Sequence, residues 1–94
     1  MNMTEFVITI ERMVGASFMV EVKENDTVKS LKMKIFKILS IVMEKHQVMV
    51  MEHQGQLMMD DKTLADYNVK EGSIIHLSIC STGLKLWKSE SSPT

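Results

Sequence analysis

Cysteine is almost missing from this chain of 94 residues: Cys80 stands alone, so no internal disulfide can form. The sequence therefore does not read as a small secreted scaffold held by cross-links, and a reducing compartment is the default. Arginine is as scarce. Arg12 is the single one among eleven basic residues, which leaves little of the forked guanidinium chemistry that grips phosphate in two places. The eleven basic and twelve acidic side chains nearly cancel, to a formal charge of −1, and they are scattered rather than blocked. Neither nucleic acid nor an anionic membrane surface meets a continuous positive field here. No apolar run approaches the ~20 residues of a membrane helix, and the first ten residues lack the basic start and unbroken apolar core of a secretory signal. The expectation is an intracellular protein, cytoplasmic or nuclear.

Chemical apparatus is equally thin. The four glycines are isolated at positions 15, 55, 72 and 83, so no glycine-rich loop is present to cradle a phosphate. His46, His53 and His76 do not occur at Cys-x-x-Cys or His-x-x-x-His spacing with one another or with Cys80. His76 and Cys80 share one face of a strand but stand about 13 Å apart at the usual rise, too far for direct pairing. Asp60 and Asp61 are adjacent in a turn, so they point apart and do not form a facing acid–base pair. The sequence predicts no catalytic residue, no cofactor and no metal, and hence no enzyme.

What is present is a strong pattern of alternation. With 45% hydrophobic residues the chain can form one globular domain with a modest core. Phe6, Ile8 and Ile10 alternate on one face, a turn follows at Val14-Gly15-Ala16, and Phe18, Val20 and Val22 resume the alternation, which predicts a hairpin with Met19, Glu21 and Lys23 outward. Asn25-Asp26-Thr27 is a helix-start signal with Thr27 as the capping oxygen, and the helix is expected over 28–39. Val28, Leu31, Ile35 and Ile38 or Leu39 form its apolar stripe, with Lys29, Lys32, Lys34 and Lys37 around much of the remainder. Met33 and Phe36 do not fit that stripe.

Gln47 to Met51 predicts a third strand, with Val48 and Val50 inward and Met49 and Met51 outward. A turn through Gly55 and a short strand at Leu57 follow. Thr63-Leu64-Ala65-Asp66-Tyr67-Asn68-Val69 then forms a polar turn anchored by Leu64 and Val69, and a last strand over 74–79 carries His76 on its outer face. The right-handed crossover rule places that strand beside the first, in a mixed sheet. The ten methionines raise a further possibility, because exposed thioethers beside a histidine on a flat sheet suit adaptable docking.

These residues together resemble the ubiquitin family, from about Phe6 to Gly83. The residues that carry the likeness are Val22-x-x-x-Asp26-Thr27-Val28 leading into Lys32-x-Lys34-Ile35, the turn Thr63 to Val69, and His76-Leu77. The resemblance implies an α+β fold, a ubiquitin-like β-grasp in which a mixed five-stranded sheet carries one main helix packed across it. It also implies that the Tyr67 hydroxyl bonds a nearby backbone group, and that Lys32 is partly buried near Asp60 or Asp61. The domain is expected over 5–81, with a leader at 1–4 and a polar tail or linker at 82–94.

The face by which ubiquitin is recognised is similar to a patch here of Met13, Met49, His76 and Ser78. These are the expected partner-binding residues, with Met13 and Met49 buried against a partner and His76 adding a hydrogen bond and a charge that responds to pH. Ser78 stands where ubiquitin has an aliphatic residue, and Gln47, Cys80 and Thr82 where it has basic ones. Gly83 is followed by Leu84 and no Gly-Gly occurs, so the resemblance does not extend to conjugation. The reading is a non-conjugated recognition module, monomeric, whose partners are ubiquitin-binding domains or proteasome receptors. The alternative is a self-association or scaffold domain using Met33, Phe36 and the segment Leu84-Leu86-Trp87.

Overall fold

The computed structural model describes residues 5–81. The expected leader at 1–4 and tail at 82–94, with Leu84, Leu86 and Trp87, lie outside the described residues. The predicted hairpin is formed by strands β1 (Glu5–Arg12) and β2 (Phe18–Lys23), paired antiparallel from Glu5 opposite Lys23 to Ile10 opposite Phe18. Ile8, Ile10, Val20 and Val22 are buried while Met19, Glu21 and Lys23 are exposed. At the turn Gly15 takes φ 110°, a backbone angle that side chains with a Cβ rarely adopt.

The chain then enters helix α1 (Val28–Leu39). Thr27 caps it as expected: its Oγ1 accepts from the Ser30 amide at 3.0 Å. Two further amides at the start of the helix, those of Val28 and Lys29, donate to the carbonyls of Lys62 and Asp60, so that end is tied to a distant part of the chain. Val28, Leu31 and Ile35 are fully buried against the sheet and Leu39 packs at the core's margin, whereas Ile38 is exposed. Met33 and Phe36, which fall off the stripe, are exposed too.

Strand β3 (Gln47–His53) turns through Gln54 and Gly55, both at positive φ, into the short β4 (Gln56–Leu57). A 3-10 turn (Ala65–Tyr67) and β5 (Ile74–Ser81) complete the chain. The sheet order is β2-β1-β5-β3-β4, with β1 and β5 parallel and the remaining pairs antiparallel. The last strand thus lies beside the first, and the fold is a mixed five-stranded β-grasp with one helix across it.

One expectation is reversed. Met49 and Met51 point inward and are buried, as is His53 at the end of the same strand, while Val48, Val50 and Glu52 face out. The register explains it: Met51 lies opposite Leu77 and Met49 opposite Ile79, on the core side of β5, and Val50 lies opposite Ser78. Residues directly across a ladder share a face, so the inward side of β5 dictates the inward side of β3.

Candidate functional site

The outer face of the sheet, away from α1, is where the fold leaves side chains without cover. On β5 this face carries His76 and Ser78; on β1 it carries Glu11, and on β3 Val50 and Glu52. His76 sits between two carboxylate-bearing neighbours, opposite Glu52 on one strand and beside Glu11 on the other. Its Nδ1 lies 2.9 Å from Glu11 Oε1. Both side chains are about half exposed, so the pair orients the imidazole more than it stabilises the fold. Ser78 directs its hydroxyl toward the Cys80 sulfur at 3.7 Å along the same face.

Met13 follows β1 and is held against this face by its own backbone, whose amide donates to the Leu77 carbonyl at 3.0 Å. Its side chain is 79% exposed. Glu11, Met13, Val50, Glu52, His76 and Ser78 line a shallow depression of about 510 Å³. With Arg12 also in its lining, it mixes a thioether and an isopropyl group with an imidazole, a guanidinium and two carboxylates, a surface suited to contact with another protein rather than to enclosing a small molecule.

The sequence model of the Ubiquitin family matches residues 7–81. The chain belongs to the ubiquitin family. Domains of this family are in general not enzymes. Two further features expected from the resemblance are present: Lys32 Nζ meets Asp60 Oδ1 at 2.6 Å with the lysine largely covered, and the Tyr67 hydroxyl accepts from the Met59 amide at 2.8 Å.

Of the four expected binding residues, this ubiquitin-family domain brings Met13, His76 and Ser78 together and removes Met49, which is only 7% exposed and belongs to the core. Its place on the outer face is taken by Val50 and Glu52. Glu52 was the readable signal. Extending the third strand one residue to this charged side chain puts 48, 50 and 52 on the solvent side, and Glu11 follows from the outward series of β1. The three histidines do not converge: His53 is buried with Nδ1 donating to the Tyr67 carbonyl at 3.0 Å, and His46 lies 3.7 Å from Glu44. Among the described residues no three His, Cys, Asp or Glu side chains are grouped to hold a metal ion, and no helix is long and apolar enough to cross a membrane.

The polar turn before β5 is held by a reciprocal pair of hydrogen bonds. The Thr63 amide donates to Asp66 Oδ2 at 2.9 Å, and the Asp66 amide donates to Thr63 Oγ1 at 3.2 Å. The Thr63 backbone amide, then the Thr63 hydroxyl, hold the Asp66 carboxyl below its ordinary value, with Lys62 adding a smaller charge effect.

Proposed function

We propose that this ubiquitin-family domain is a recognition module that is not itself conjugated, and that it docks proteins of the ubiquitin–proteasome system through the sheet face around His76. It acts as a monomer inside the cell, in the cytoplasm or nucleus, and engages neither nucleic acid nor membrane. The observation that carries this reading is the imidazole of His76, fixed by Glu11 at 2.9 Å on the outer sheet face beside exposed Met13 and partly buried Val50. Apolar contact comes from Met13 and Val50, and His76 and Ser78 supply hydrogen bonds. Glu11 and Glu52 sit with Arg12 in the same lining, so the face presents charges of both signs and favours a partner whose own charges are placed to match them. The lack of two consecutive glycines supports the non-conjugated part of the reading.

Titration of the isotopically labelled domain with ubiquitin-binding helices and proteasome receptor domains tests the face. Amide shifts are expected at Met13, Val50, His76 and Ser78; shifts confined to α1, or none, remove the proposal. Incubation with ubiquitin-activating enzyme and ATP is expected to give no thioester, and a thioester would overturn the non-conjugated reading.

A further inference from the structure

The opposite side of β3 offers a second, different surface. Between α1 and the start of β3 runs an open groove of about 570 Å³, lined by Met33 and Phe36 from the helix, Met43 from the connection, and Val48 and Met49 from the strand. Met33, Phe36 and Val48 are 55%, 41% and 41% exposed, so among the described residues this apolar surface is uncovered, with the core residue Met49 at its floor. It continues past Lys32 into a stretch of about 430 Å³ that reaches Val50 and is bounded by exposed Leu57 and Met59 and by the carboxylates of Asp60 and Asp61. The rim is basic. Lys29, Lys32 and Lys37 border the groove against the single carboxylate of Asp60, which Lys32 already engages. Lys29 and Lys37 have no ion pair or side-chain hydrogen bond among the described residues.

The floor of the groove has a further property. β3 is paired with β5 from Gln47 to Glu52, but with β4 only at Glu52 and His53. On the β4 side, the Met51 carbonyl accepts from the Met58 amide at 2.9 Å. Backbone groups along a strand alternate in direction with period two, so the N–H and C=O of Met49 and the C=O of Gln47 point to that same side, where among the described residues no strand continues. Unpaired strand edges of this kind are templates for another strand.

We propose that this groove binds an extended acidic segment of a partner protein, which adds as a strand to the open edge of β3. Alternate apolar side chains of the segment enter between Met33, Phe36 and Met43, and its flanking carboxylates meet Lys29 and Lys37. Main-chain hydrogen bonds to Met49 and Gln47 give affinity, and the groove and its lysines give selectivity. Beside α1 the groove shares no lining residue with the His76 depression, and the two proposals stand or fall independently.

The probe is a synthetic peptide with a Val-Ile-Val-Ile core flanked by glutamates, titrated into the labelled domain. It is compared with a lysine-flanked version and with one carrying proline in the core. The glutamate peptide is expected to shift the amides of Met33, Phe36, Gln47, Val48 and Met49. The lysine and proline versions are expected to bind at least about tenfold more weakly, the first through charge and the second through a missing backbone donor. A Lys29→Glu/Lys37→Glu variant is expected to keep the unbound fold, read by its amide spectrum, and to weaken the glutamate peptide by at least about tenfold. Equal binding of all three peptides, shifts centred on His76, or no shift at millimolar peptide overturns the proposal. So does concentration-dependent dimerisation seen by sedimentation with the same residues perturbed in the absence of peptide, which would make a second copy the occupant.

Discussion

The ring of His53 donates from Nδ1 to the main-chain carbonyl of Tyr67 at 3.0 Å, in a buried site. A carbonyl only accepts, so Nδ1 carries the proton. The Tyr67 hydroxyl in turn accepts from the Met59 amide at 2.8 Å, and one short 3-10 turn is therefore fastened at both its backbone and its side chain to the β3–β4 hairpin and the segment that follows it. His53→Leu leaves the Tyr67 carbonyl unpaired and is expected to cost about 1–3 kcal/mol in urea unfolding. Tyr67→Phe, which strands an amide nearer to solvent, is expected to cost about 1 kcal/mol.

The orientation of β3 makes a sharper prediction. Met51 is fully buried and its neighbour Val50 faces out. Met51→Ala is expected to lose about 2–5 kcal/mol, and Val50→Thr less than about 0.5 kcal/mol. Equal costs in a thermal or urea melt would contradict the register.

Asp66 links the polar turn to acid stability. Its folded pKa is depressed by the Thr63 amide and hydroxyl, so its contribution is present above the unfolded carboxylate value of about 3.9 and is lost as pH falls through the lower, folded value. Unfolding free energy measured from about pH 6 down to about pH 2 should therefore decline at the acid end, and Asp66→Asn should flatten that decline.

Thr27 is the cap on which the helix start depends, through its 3.0 Å bond to the Ser30 amide. Thr27→Ala is expected to cost about 1 kcal/mol and Thr27→Ser much less. Calorimetric melting of the three proteins checks the order.

Glu11 and His76 test the separation of binding from stability. Because both are half exposed, Glu11→Ala, which removes the acceptor, is expected to change stability by less than about 1 kcal/mol. It should nonetheless release the imidazole, giving altered ring-proton shifts at His76 and weaker docking at that face. An unchanged His76 spectrum would show that the pair does not hold the ring.

Much of this was legible in the residues. The hairpin, the Thr27 cap, the Val28–Leu31–Ile35 stripe and the left-handed Asn68 and Gly72 are local: each follows from alternation, spacing or a short polar side chain within one turn. The departure of Met33 and Phe36 from the stripe was also visible, though the groove they border with Met43 and Val48 was not. That groove joins segments far apart in the chain, and no periodicity within either segment encodes their meeting.

Sequence alone determined which strands alternate, through contrasts between polar and apolar positions, where the helix begins, through the Thr27 cap, and that the first and last strands are neighbours, through the handedness of the crossover. Between 48 and 51 that contrast disappears, since valines and methionines are all apolar, and the one mark of the outer face lies just beyond them at Glu52. Tertiary pairing fixed it, since Met51 had to match the buried Leu77 across the ladder, sending Met49 to the core and leaving Val50 and Glu52 beside His76.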